Sequence, residues 1–213
     1  MYWQDEGYLL SKNNFDENSI IIEVFTLNHG KYSGIVYGGS SKKQKKNFQI
    51  GNKIYLNLKS KNENRPGYFY TELIKPIAPN FFDDKEKITC ILSATSILKM
   101  LLPERQINKN IYISFEKFLN DLNNDNWLLL YIYWEVYLIK ELGYEIDISN
   151  EFLNINNKLF KIPSVIYDKT KVTMSKNEIK EDLNFNKNLI IENFINPNKL
   201  RFPLFRNLFE SYF

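Results

Sequence analysis

Lys42, Lys43, Lys45 and Lys46 stand together in one short stretch, IVYGGSSKKQKKNFQIGN at residues 35–52, directly after a glycine pair. Lysines at that density neutralise phosphate charge, and nearby aromatic residues (Tyr32, Tyr37, Phe48, Tyr55) are of the type that stacks on bases for about 1–3 kcal/mol each. The chemistry that this mix suits is binding to single-stranded nucleic acid with little regard for sequence. The bland alternative is a solvated loop whose lysines serve only solubility. Position argues against it, because neighbouring turns bring Lys31, Lys53, Lys61 and Arg65, so that residues 31–65 carry nine basic residues and one acid. Lys31, Lys53 and Tyr37 therefore join the four lysines as candidate contacts. Gly38-Gly39 is no nucleotide-cradling loop, since the third glycine and the Gly-Lys-Ser/Thr ending are missing. The pair reads as a strand-end turn that allows a close backbone approach.

Catalysis finds no such footing. Asp5-Glu6, Asp16-Glu17 and Asp83-Asp84 are adjacent pairs; strand neighbours point to opposite faces, and Asp16-Glu17 and Asp83-Asp84 fit a turn and a helix start. His29 is the only histidine, in an Asn-His-Gly turn, and Cys90 sits in a helical apolar pattern where a core thiol is expected. The chain reads as a non-enzyme without a cofactor.

The elements that must position the lysines are strands. "GYLLSK", "SIIIEVFTL", "KYSGIVYGG", "NKIYLNLKS" and "YFYTELIKP" are five apolar segments separated by turn signals within the first 78 residues. Five strands in so short a span fit a small closed barrel better than an open sheet. After "KPIAPN" the pattern becomes helical: Asp83–Glu104, "SFEKFLNDL", the apolar run at 126–142, and two short helices near the end, while 150–187 is weakly patterned. An α+β chain follows, with a barrel at 1–78 and an all-helical domain at 79–213.

At 213 residues with 44% hydrophobic content the chain supports packed cores, and the net charge of +3 hides an imbalance. Residues 1–78 carry eleven Lys/Arg against seven Asp/Glu; the remainder is close to balanced. One cysteine excludes an internal disulfide framework and fits a cytosolic location. "MYWQDEGYLL" lacks the basic start of a signal peptide. "WLLLYIYWEVYLI" at 127–139 is interrupted by Glu135 and is shorter than the roughly 20 residues of a membrane span. It reads as a core helix, with a peptide groove around Trp134 as the less favoured alternative.

With these pieces in order, the chain resembles the RecO-type recombination mediators of bacterial DNA repair. The resemblance rests on "DEGYLLS", "ENSIIIEVFTLNHGKYSGIVYGG", "SKK", "IGN" and "PGYFYTELIKP", then on "WEVYLIKELGYEIDIS" and "LRFPLFRNLF". It implies an OB-fold barrel joined to a helical domain, no enzymatic turnover, and binding to single- and double-stranded DNA with annealing of complementary strands. It also implies RecR as a partner, contact with the acidic C-terminal tail of single-stranded-DNA-binding protein, and help in loading RecA; the location would be the cytoplasm, at the nucleoid. The family's basic run after the glycine pair maps to Lys42 and Lys43, and Lys45 and Lys46 extend it on charge. Three departures follow. Relatives flank the glycine pair with basic residues where this chain has Tyr37 and Ser40, which shifts the expected DNA surface toward Lys45 and Lys46. Some relatives hold zinc through cysteines after the Leu-Gly exit, but 150–187 contains no cysteine or histidine and no metal is expected. The arginine that relatives place before the aromatic-Glu pair is Tyr133 here; Trp134, with Arg201 and Arg206 as substitute bases, is the candidate partner site.

The expected mechanism is charge neutralisation without base readout: strands on a positive surface repel each other less and can pair. An RNA-binding OB-fold protein of translation or RNA handling is the alternative, since rings and lysines do not identify the sugar.

Overall fold

The computed structural model of the chain describes residues 1–61, 66–147, 149–167 and 174–213, without the side chains of Lys43 and Tyr167. Strict alternation builds strand β4 (Lys53–Lys59): Ile54, Leu56 and Leu58 are buried while Tyr55, Asn57 and Lys59 face outward. β1 (Tyr2–Asn14), β2 (Ser19–Thr26), β3 (Gly30–Tyr37) and β5 (Gly67–Lys75) alternate over part of their length only, and Gly7–Leu10 of β1 are buried in succession. The five close into a barrel in the order β1-β2-β3-β5-β4. Closure depends on β1. Its first half pairs with β4 and its second half with β2, and an irregularity between Leu9 and Ser11 bends the strand between its two partners. The last seam, β3 against β5, is parallel and short, Gly34 with Gly67 and Ile35 with Tyr68. Leu9, Ile22, Val24, Leu56, Leu58 and Phe69 are among the side chains that fill the interior.

The β2–β3 turn is locked to β1 by the one histidine. The buried Asp5 carboxylate accepts from the Asn28 backbone N–H at 2.8 Å and lies 2.9 Å from His29 Nδ1, and the His29 ring stacks on Trp3 at 4.0 Å. These residues serve the turn.

Helix α1 (Lys42–Lys45) is a single turn between β3 and β4, and α2 (Lys85–Leu101) follows a 3-10 turn at Ala78–Phe81. Asp84 caps α2 by accepting from the Lys87 N–H at 3.0 Å, and Cys90 is buried within it. Compactness divides the chain into Met1–Ile113 and Ser114–Phe213, later than the change of sequence character at residue 79. The physical reason is that α2 packs on β1, with Ile91 against the backbone of Gly51, while Tyr112 of α3 (Lys109–Asn120) meets Tyr8 and Phe25.

The second unit is organised by α4 (Trp127–Glu141), in which Leu129, Tyr131, Ile132, Trp134, Leu138 and Ile139 are buried. Trp134 stacks on Phe118 with ring centroids 5.4 Å apart. The expectation of an all-helical region needs one correction: β6 (Phe152–Ile155) and β7 (Lys158–Lys161) form a two-stranded hairpin, turning through Asn156 and Asn157 in the left-handed conformation that asparagine tolerates. After α5 (Ser164–Tyr167), helix α6 (Lys176–Ile190) begins at a capping box between Ser175 and Glu178. A π-helical turn at Ile191–Ile195, the short α7 (Asn196–Asn198) and α8 (Leu204–Glu210) complete the unit. Among the described residues no helix is long and apolar enough to cross a membrane.

Candidate nucleic-acid interface

The lysine bend is ordered by local chemistry. Gly38 takes the left-handed conformation (φ 69°), and Gly39 passes so close to Ile20 that a Cβ would lie 2.6 Å from it. The close approach expected of this pair is therefore to the barrel's own β2. Ser41 then caps α1, its side chain accepting from the Gln44 N–H at 3.3 Å, and Ser40 Oγ donates to the Glu17 carbonyl at 3.0 Å, tying the bend to the β1–β2 turn. Lys42, Lys45 and Lys46 are exposed, and among the described residues no carboxylate lies in ion-pair range of them. The Lys43 side chain and all of Arg65 lie outside the described residues.

Beside this turn the barrel presents rings. Tyr37, at the end of β3, is 65% exposed and stacks on Tyr68 of β5 with centroids 4.8 Å apart and planes 12° from parallel. Its phenol is held above its ordinary pKa, first by the hydrogen bond with Tyr68. Pairing sets Tyr2, Lys59 and Tyr68 in one row across β1, β4 and β5, and Gln4, Asn57 and Tyr70 in the next. Tyr2 and Tyr70 are exposed as well. The Tyr2 hydroxyl accepts from Gln4 Nε2 at 2.6 Å and Asn57 Nδ2 at 3.1 Å, and the Tyr70 hydroxyl donates to Glu72 at 2.9 Å. Acids temper the field here: Asp16 in the β1–β2 turn is held below its ordinary pKa by the N–H groups of Asn18 and Ser19.

Other expected contacts lie elsewhere or inside. Tyr32 and Phe48 are core residues and offer no ring face. Lys31 is half-buried and donates to the Lys99 carbonyl at 2.8 Å, and burial lowers its pKa. Lys53 pairs with Glu6 at 2.9 Å, six residues along β4 from Lys59, or roughly 20 Å at the strand rise. The structure therefore sets Tyr37 against Tyr68, with Tyr2 and Lys59 in the row of Tyr68 and Tyr70 in the next, while Lys42, Lys45 and Lys46 stand on the turn that follows β3. The sequence reading counted Lys59 in its basic stretch but missed Tyr2, Tyr68 and Tyr70. The signal for two of them was the alternation in GYFYTEL, which puts Tyr68 and Tyr70 on one face.

In the second unit Arg206 cannot receive a partner. It is fully buried, its Nε 2.6 Å from Glu135 Oε1 and its Nη2 3.1 Å from Oε2, with Nη2 also donating to the Leu183 carbonyl at 2.7 Å. Burial pulls its pKa down, but the Glu135 carboxylate, together with Tyr131 and Glu210, more than offsets this and holds it above the ordinary value. Arg201 is exposed. Trp134 is 4% exposed and forms the floor of an apolar groove of about 260 Å³ between α3 and α4, with Phe118, Leu130, Tyr133 and Tyr137, and with Lys117 and Asp121 at the rim.

Comparison with known proteins places this geometry. Residues 1–77 match the family description "Recombination protein O N terminal" and residues 83–158 match "Recombination protein O C terminal". The chain is 34% identical over 150 residues to "DNA repair protein RecO" of Roseobacter denitrificans, covering 70% of this chain and 62% of the relative. It is 32% identical over 151 residues to the protein of the same name from Wolbachia sp. subsp. Drosophila simulans, covering 70% and 62%. For that of Ehrlichia chaffeensis the figures are 33% over 160 residues, 74% and 65%. The match thus spans less than two thirds of these relatives' length. The barrel order, the helical region that follows it and these matches to both halves agree, and the chain belongs to the RecO family of DNA repair proteins.

Proposed function

We propose that this chain is a non-catalytic DNA-binding mediator of repair and recombination. Its barrel tracks single- and double-stranded DNA, promotes annealing and, with RecR, helps load RecA on strands coated by single-stranded-DNA-binding protein. The observation that carries the reading is the exposed Tyr37–Tyr68 stack five residues from a turn whose exposed Lys42, Lys45 and Lys46 have no carboxylate in ion-pair range among the described residues. Free ammonium groups replace the counterions of a phosphate backbone, and bases that lie on the rings gain stacking without readout of their edges. Two strands held so are less repelled and stay free to pair. In anisotropy titrations of a labelled single-stranded oligonucleotide, Tyr37→Ala and Tyr68→Ala each weaken binding by about 1–3 kcal/mol while the Phe variants retain it. Unchanged affinity in both Ala variants removes the stacking role. Preferential displacement of the DNA by RNA of the same sequence replaces the reading by RNA handling.

The groove floored by Trp134 is the seat for the acidic tail of single-stranded-DNA-binding protein. Its walls are apolar and Lys117 at the rim supplies a charge where relatives carry an arginine in place of Tyr133, against the opposing Asp121. Lys117→Glu is expected to weaken binding of an acidic peptide with an apolar C-terminus by roughly tenfold in a peptide titration, in keeping with the effect of a rim charge.

A further inference from the structure

We infer that the barrel holds one backbone phosphate at a fixed place, in a cleft of about 540 Å³ between the end of β1 and α1, through Lys12 and Lys45. Lys12 lies near the end of β1, in a part of the sequence with no basic cluster, and folding alone brings it to the lysine bend. Its ammonium donates to the Phe48 carbonyl just beyond α1, which fixes the head at the cleft and leaves two N–H donors for a ligand. Asn13, Asn14, Ser40 and Gln49 complete the wall with neutral polar groups.

Two ammonium groups share this cleft, and among the described residues no carboxylate lies in ion-pair range of either. Burial first, and then the like charge of Lys45, lower the Lys12 pKa. Such an arrangement is unfavourable in the free protein and is relieved by an anion. A phosphodiester supplies the charge and the acceptor oxygens together, and the cleft has room for a phosphate with its adjoining sugar. The site rests on the nucleic-acid reading and refines it: the lysine turn gives diffuse attraction, and Lys12 with Lys45 gives one located contact. Free inorganic phosphate shares the chemistry, so the test separates the two sources.

The salt dependence of single-stranded DNA binding is measured for wild type, Lys12→Gln, Lys12→Arg and Lys45→Gln, with unfolding midpoints recorded for each. In parallel, inorganic phosphate is titrated while the lysine side-chain resonances are followed by NMR. Lys12→Gln and Lys45→Gln are each expected to weaken DNA binding about 5- to 10-fold and to flatten the log–log salt slope by about 0.7, the value of one phosphate contact on a single strand. Lys12→Arg keeps both. Lys45→Gln guards against a folding artefact, since the Lys45 side chain is exposed. If wild type binds DNA and neither slope changes, the located site is overturned and the DNA reading stands. If wild type binds no DNA but millimolar phosphate shifts the Lys12 resonance, the DNA reading falls and the pocket is one for free phosphate. If neither ligand binds, both fall.

Discussion

Arg206→Ala unfolds the second compact unit at denaturant concentrations that leave the wild type intact, with a loss of about 3–5 kcal/mol. The size follows from what the substitution leaves behind. Glu135 is completely buried and its two oxygens are bound by Arg206 Nε and Nη2, by the Tyr131 hydroxyl at 2.7 Å and by Asn186 Nδ2 at 3.1 Å. Removing the guanidinium strips the carboxylate of the one buried counter-charge it has among the described residues and takes from the Leu183 carbonyl the bond it accepts beyond its helical one. A domain of this size has a total stability of roughly 5–15 kcal/mol, so the loss takes at least about a fifth of its margin and, at the low end of that range, most of it. Glu135→Ala is equivalent in sign and size. Replacing both partners together, Glu135→Leu with Arg206→Met, recovers most of the stability, because a buried pair contributes little over apolar side chains of similar volume. Guanidinium unfolding followed by tryptophan fluorescence measures all three. A loss below about 1 kcal/mol for Arg206→Ala would mean that water reaches the pair, as at exposed ion pairs.

Replacing Lys42, Lys43, Lys45 and Lys46 together by Glu abolishes single-stranded DNA binding, with affinity falling by more than roughly 100-fold at low salt. Four attractive charges become four repulsive ones on a turn tied through Ser40 to the β1–β2 turn that carries Asp16 and Glu17, so the local field changes sign. The fold has no stake in the exchange: the lysine side chains described are exposed, the Ser41 cap remains, and acids at the start of a helical turn suit its dipole. The unfolding midpoint is expected to stay within the range of surface substitutions. Anisotropy at two salt concentrations decides it. Wild-type binding must weaken steeply with salt, and a variant that binds as wild type does would make the bend a solvated loop.

Much of this was legible in the sequence because strands and turns announce themselves locally. Parity places Tyr32 with Gly34 and Val36 on the inward face of β3, whereas Tyr37 shares the parity of Lys31 and Ser33; Ile35 has that parity too and is nonetheless buried, so parity gives the inward face but not every exposed position. Counting tyrosines near the lysines overlooked that rule for Tyr32. Phe48 lies in an irregular segment where no period applies, and only the closed barrel reveals it as a plug. Lys31 and Lys53 were plausible contacts until topology supplied their partners, the Lys99 carbonyl 68 residues away and Glu6 on the neighbouring strand. Arg206 carried a warning, three residues before the buried Phe209 and thus on the apolar stripe of its helix, but its partner lies 71 residues earlier. The start of α6 was there to be read as Ser175-x-x-Glu178. The hairpin before it had only a pair of asparagines to mark it.

The short parallel seam of the barrel has a kinetic meaning. β1 with β2, β2 with β3 and β4 with β5 join segments that follow one another, so each can form as a hairpin; β1 with β4 and β3 with β5 join distant ones. Distant pairings must overcome loop closure before any ladder rewards them, and they set the folding rate. Of the two, the β3–β5 seam has only two register pairs to recover that entropy. It is the last join to zip and the first to breathe, and the exposed Tyr37–Tyr68 stack sits at it like a clasp.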